Sequence, residues 1–347
     1  MRVRGREDQE QRERAMLAED AALAAESEGR DRSTAPDALR TDYQRDRDKI
    51  LHSKSFRRLS HKTQVFLASE GDHFRTRLTH TLEVAQIART ITRALGLNED
   101  LTEAISLGHD LGHTPFGHTG EAALAGALAR HRGIEPASPQ AARLYRHNEQ
   151  SVRVVERIEN GGAGLNLTAE VRDGILNHTG NLRAETLEGR IVATADRIAY
   201  VNHDIDDAIR AGILREADLP EATHRVLGAD HSARIETLVR DMVETSAAEG
   251  DIRMSPAVWD AMMELRAFLF ANVYTAPPVM AEVEKATHLI ADLFDYYAAH
   301  IDEVPADYRA ISDGDDLRAV TDYIAGMTDR FATSTYQRLF IPHALSY

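Results

Sequence analysis

His109, Asp110, His113 and His118 fall within ten residues, in Gly108-His109-Asp110-Leu111-Gly112-His113-Thr114-Pro115-Phe116-Gly117-His118. Imidazoles and a carboxylate packed that closely are costly to bury unless a charge sits among them. An adjacent His-Asp pair offers one nitrogen and one oxygen ligand to the same divalent ion. The chain has no cysteine, so disulfides and thiolate ligands are excluded, and a metal would be held by His, Asp or Glu. Metal-dependent hydrolysis is the chemistry this pattern suggests first.

These side chains must be positioned by helices. Leu82, Val84, Ala85, Ile87, Ala88, Ile91 and Leu95 repeat at helical spacing over 79–95, and Gly96 stops the run. Asn98 caps a second helix that runs into His109-Asp110. After the Gly/Pro turn, 117–131 reads as a third helix, 147–158 as a fourth, and Thr168 caps a fifth. Residues 187–214 form a long helix carrying Asp196, and amphipathic patterning resumes after Pro277-Pro278. Few segments alternate with period two, and no 20–50-residue repeat is visible. The chain reads as all-α.

The net charge of −15 argues against a molecule coated with nucleic-acid-binding surface. Between Arg45 and Lys62, however, lie Arg45, Arg47, Lys49, Lys54, Arg57, Arg58 and Lys62, against only Asp46 and Asp48. A positive island in an acidic chain is a candidate anion site. No stretch approaches the ~18 apolar residues a membrane span needs, and the charged N-terminus lacks the apolar core of a secretory signal. A cytoplasmic location is the expectation.

The ordered set of motifs resembles the HD superfamily of metal-dependent phosphohydrolases. A lone His80, the His109-Asp110 doublet at a helix end and Ala195-Asp196-Arg197 on a later helix carry that likeness. The strings 46–59, His61-Lys62-Thr63-Gln64-Val65-Phe66, 109–121, His147-Asn148-Glu149-Gln150-Ser151 and Asn177-His178-Thr179-Gly180 resemble one branch, the deoxyguanosine triphosphate triphosphohydrolases. A weaker echo stands at Met327-Thr328-Asp329-Arg330-Phe331.

The resemblance implies an all-α HD-domain helical bundle with a C-terminal helical extension. We expect an N-terminal arm over 1–40, poorly ordered or helical, an HD core over 41–215 and a C-terminal helical region over 216–347. It implies one divalent ion, Mn²⁺, Mg²⁺, Fe²⁺, Co²⁺ or Ni²⁺, held by His80, His109, Asp110 and Asp196. Two imidazoles and two carboxylates leave coordination positions open for water and phosphate oxygens on an octahedral ion.

His118 and Glu121, spaced i, i+3, share a helix face. In the family the matching pair orients and activates the attacking water or donates a proton. His113 belongs with them. Asp196, Tyr200 and Asp204 form a single i, i+4, i+8 stripe, and the family uses the tyrosine and the second aspartate to recognise deoxyribose. A triphosphate needs cationic donors beyond one metal, and Arg57, Arg58, Lys62, Arg77, His113, His147 and Arg197 are the candidates. Of these, Arg77, His113, His147 and Arg197 match phosphate-contacting positions of the family. Gln64 and His178 are further substrate-binding candidates.

The implied reaction is hydrolysis of a deoxynucleoside triphosphate, dGTP favoured, to the deoxynucleoside and inorganic triphosphate by water attack at the α-phosphorus. One alternative keeps the HD chemistry on another phosphoester: a nucleoside monophosphate, a cyclic nucleotide or a single-stranded DNA end. Another is a non-catalytic nucleotide- or nucleic-acid-binding module. The amphipathic helices after Pro277 exceed what one small core can bury, so a homo-oligomer is expected. Contact with single-stranded DNA is a further candidate, and a membrane is not.

Overall fold

The computed structural model describes residues 3–64 and 75–342. Val65 and Phe66 of the motif quoted above lie outside the described residues. The described residues are helical with no strand; two isolated β-bridges, Arg30 to Thr168 and Thr63 to Thr76, are the only extended pairings among them. In chain order the helices are α1 (Arg6–Met16), α2 (Asp42–Leu51), α3 (Lys54–Arg58), α4 (Arg77–Ala94), α5 (Glu99–Gly108), α6 (Gly117–His131) and α7 (His147–Arg153). There follow α8 (Ala169–Leu176), α9 (Leu187–Arg210), α10 (His231–Glu249), α11 (Pro256–Asn272), α12 (Pro277–Ala299), α13 (Ala306–Ala310), α14 (Asp316–Ala325) and α15 (Asp329–Phe340).

These helices belong to two compact units built from interleaved stretches of chain. The first comprises 1–52, 79–109 and 165–279; the second comprises 53–78, 110–164 and 280–347. In the first, α5 packs on α2, α8 and α9, and α9 also carries α10 and α11. Ile50, Leu101, Ile105, Val171, Ile175, Ile191, Val192 and Ile198 are wholly buried there. In the second, Leu124 and Leu128 of α6 share a core with Tyr145, Ile290, Leu293, Phe294, Val320 and Ile324.

Local chemistry accounts for the boundaries. The Asn98 side chain accepts from the backbone N–H of Asp100 and Leu101, two of the orphan donors that open α5. Thr168 differs from the sequence expectation: it stands at the N-cap of α8 without a side-chain capping bond, and its own N–H is held by Asp46 at 2.7 Å. The 147–158 segment is helical but changes hand-hold midway, α7 passing into a π-helical turn over Val154–Ile158. The long helix α9 stops at Arg210, four residues before its sequence-based end.

Candidate active site

In the first unit three helices converge on one carboxylate oxygen. His80 lies in the first turn of α4, His109 follows the last residue of α5, and Asp196 sits midway along α9. Nε2 of His80 is 3.0 Å and Nε2 of His109 is 3.9 Å from Oδ1 of Asp196. Both rings are buried. Gly108, just before His109, packs closely on two core side chains: a Cβ there would lie 2.5 Å from Cδ1 of Ile175 and 3.3 Å from Cδ1 of Ile50.

His109 Nδ1 donates to the Ser106 carbonyl at 2.6 Å. A carbonyl can only accept, so that bond fixes the tautomer and turns the Nε2 lone pair toward Asp196. His178, buried with its ring 4.9 Å from that of His109, is anchored the same way, through Nδ1 to the Ile175 carbonyl at 2.8 Å. Buried imidazole lone pairs turned on a carboxylate form a donor set that suits a divalent cation. Asp110 is joined to His109 by the next peptide bond.

In the second unit the acid–base groups are gathered. Glu121, one turn into α6, hydrogen bonds His118 Nδ1 at 3.1 Å. It also receives the His147 N–H at 2.8 Å and His147 Nδ1 at 3.1 Å. His147 stacks on His113 with ring centroids 4.0 Å apart. His113 Nε2 lies 3.2 Å from Asp110, whose other oxygen accepts from Arg77 at 2.7 Å. Ligand atoms of His113, His118, Glu121 and His147 all lie within 4.8 Å of one another.

The electrostatics shift these groups in different directions. Burial would raise the Glu121 carboxyl, but the charge of His147 and the hydrogen bonds from His118 and His147 overcome it and hold the acid well below its ordinary range. Burial works against His147 too, and the Glu121 charge and hydrogen bond outweigh it, so His147 is raised. His113 is pushed well down, first by burial and then by the charges of Arg77 and His147. His118 is 75% exposed while Glu121 behind it is largely covered. A solvent-facing imidazole backed by a covered carboxylate is chemically able to exchange a proton.

The α6 entrance has an unusual backbone. Phe116 stands in the left-handed region at φ 62°, ψ 22°. A Cβ on Gly120 would lie 1.9 Å from the Pro115 carbonyl, so only glycine lets the turn fold back on the helix. Lys62, buried, donates to the carbonyls of His113 and Ala325, the latter at 2.8 Å. Burial, reinforced by the Arg58 charge, pushes its ammonium down to about 7. Gln64 meets the same region through its carbonyl, which receives Arg77 Nη2 at 3.5 Å.

The sugar and phosphate candidates of the first unit are already engaged. Tyr200 hydroxyl accepts from Arg266 Nε at 2.6 Å, the Tyr274 hydroxyl donates to Asp204, and Arg197 donates to the Gly180 carbonyl at 2.9 Å. Arg266 also lies 4.7 Å over the Phe270 ring. Arg266, Phe270 and Tyr274 have no motif around them; the bonds of Arg266 to Tyr200 and of Tyr274 to Asp204, with Phe270 between them, reveal them. The basic island is divided. Arg45 pairs with Asp42, Arg47 with Asp48, Asp100 and Glu103, and Lys49 with Asp46, so that half is neutralised locally. Arg57 is exposed and Arg58 half-buried on α3, in the second unit.

Two stretches of the chain match known protein families. The HD domain family matches residues 77–201, and the phosphohydrolase-associated domain family matches 252–338. A deoxyguanosinetriphosphate triphosphohydrolase-like protein of Caldanaerobacter subterraneus is 52% identical over 97% of this chain and 96% of its own length. Proteins of the same description from Clostridium perfringens (49% identity, 99% of each chain) and Desulfatibacillum aliphaticivorans (48%, 97% and 98%) are also similar. Among solved structures, a hypothetical protein from Aquifex aeolicus aligns over 85% of this chain and 71% of its own, at 16% identity and a TM-score of 0.43. The chain therefore belongs to the deoxyguanosinetriphosphate triphosphohydrolase-like family of HD-domain phosphohydrolases.

Proposed function

We propose that the protein hydrolyses deoxynucleoside triphosphates, dGTP foremost, to the deoxynucleoside and inorganic triphosphate. The observation that carries this reading is the convergence of His80 and His109 on one oxygen of Asp196 from three separate helices. With Asp110 next in the chain, that set supports a site for one divalent ion, Mn²⁺, Mg²⁺, Fe²⁺, Co²⁺ or Ni²⁺. When bound, such an ion acts as a Lewis acid on a phosphoryl oxygen and lowers the pKa of water.

The chain's own groups divide the remaining work. His118, held by Glu121, moves the proton at the reacting oxygen. Arg77, His113, His147 and Arg197 bind phosphate oxygens, with Arg57, Arg58, Lys62, Gln64 and His178 as further substrate contacts. Tyr200 and Asp204 receive the deoxyribose, exchanging their present partners Arg266 and Tyr274 for the sugar. Incubation with each dNTP and each metal, with product analysis, tests the reading. Equimolar deoxynucleoside and triphosphate are expected; stepwise orthophosphate with accumulating diphosphate nucleotide would sink it.

A homo-oligomer and a contact with single-stranded DNA belong to the same proposal. Phe331 and Phe340 of α15 are 46% and 39% exposed, which supports self-association. Light scattering that returns a monomer would remove it. Exposed Arg57 is the cation that supports the nucleic-acid contact. Binding of a labelled oligonucleotide that ignores Arg57→Ala and salt would remove that. Among the described residues no helix is long and apolar enough to cross a membrane. The expected cytoplasmic location stays part of this proposal.

A further inference from the structure

The N-terminal end of α15 reaches two other stretches of the second unit, and the carboxylate of its first residue makes the decisive contacts. Asp329 Oδ2 accepts the Thr63 N–H at 2.8 Å, and Asp329 Oδ1 accepts the Phe116 N–H at 3.0 Å. Thr63 precedes Gln64 and bridges Thr76, next to Arg77. Phe116 is the left-handed residue that opens α6, two positions before His118. Lys62 doubles the stitch from the other side, joining the His113 carbonyl to that of Ala325.

Phe116 makes no side-chain capping bond, and a bulky residue at positive φ persists only where its surroundings hold it. The first turn of α6 aims His118 and Glu121, so whatever holds Phe116 sets that aim. A carboxylate accepting two backbone N–H groups from different segments is a rigid fastener, because both oxygens are committed at once. The Met327–Phe331 string thereby acquires a role outside substrate contact.

We propose that Asp329 is a positioning residue, which fixes the catalytic turn at Phe116 against the Thr63–Gln64 segment. The inference rests on the proposed role of His118. Its test compares wild type, Asp329→Asn and Asp329→Ala by steady-state dGTP hydrolysis, melting temperature and amide hydrogen exchange. Asparagine keeps one acceptor oxygen and serves if the alanine variant does not fold.

The expected result is a fall in kcat per folded molecule of roughly 10- to 100-fold for alanine, as for a small misplacement of reacting groups. Asparagine should fall between alanine and wild type. KM should move much less than kcat. Exchange in a 113–118 peptide should quicken while a peptide from α9 is unchanged. An unchanged kcat per folded molecule, a change in KM alone, or unaltered exchange at 113–118 overturns the proposal. If wild type cleaves no dNTP, the substrate reading fails, and the exchange comparison alone then decides: faster exchange at 113–118 supports the fastener and unaltered exchange removes it.

Discussion

Glu121 answers to two imidazoles at once, and its neighbours decide what it can do. Its carboxyl is held below its ordinary range and His147 is held above its own, each charge favouring the other. The consequence for stability has a definite sign. The Glu121 contribution is fully present above pH 4.5 and is lost as pH falls through its lower folded value. The His147 contribution is fully present below pH 6.5 and is lost as pH rises through its raised folded value. Both are complete between these pH values. The difference in melting temperature between wild type and Glu121→Gln should therefore plateau there and shrink on either side. A difference that is flat from acid to alkaline pH would contradict this coupling. The same variant should hydrolyse substrate about 10²- to 10⁴-fold more slowly, the usual worth of a positioned proton-transfer group, with its fold retained by circular dichroism.

At the scale of elements, the turn from Gly112 to Gly120 matters most. Gly120→Ala forces a methyl to within 1.9 Å of a backbone carbonyl, which cannot swing aside as a side-chain end would. Overpacking of this kind costs about 1–3 kcal/mol, more than the ~1 kcal/mol alanine gains over glycine inside a helix. Thermal unfolding should register a net loss, and hydrolysis should fall further than the loss of folded protein explains. An unchanged melting temperature would mean the turn is looser than described. Much of this level could be read beforehand. The 79–95 period gave α4 within two residues, and Gly117–His131 is α6 as expected, because helical spacing and glycine punctuation are local signals. The pairing of Tyr274 with Asp204 and of Arg266 with Tyr200 was not legible. Those partners sit 66 and 70 residues from the residues they meet, and nothing in their neighbours' spacing records the meeting. Asp329 was visible as part of a string, yet its two N–H partners, 266 and 213 residues away, were not.

For the whole molecule, the charge of −15 and the carboxylate of Asp196, facing the buried rings of His80 and His109, both favour binding a cation. A ligand that binds only the native state stabilises it, by about 2.7 kcal/mol at a hundredfold excess over Kd. Mn²⁺ should therefore raise the melting temperature of wild type and leave Asp196→Ala unmoved. An equal rise in both would place the cation elsewhere.

The second unit's core has a consequence for how the protein comes into being. Leu124 and Leu128 pack with Ile290, Phe294, Val320 and Ile324, partners made well over a hundred residues later. During translation, the stretches of the first unit are all present once Val279 has been added. The second has by then only its two earlier stretches, and α6 must wait with the part of its apolar stripe that Ile290, Phe294, Val320 and Ile324 cover still open. Such long-range closure is slow and leaves an interval in which that apolar face is open to misassembly.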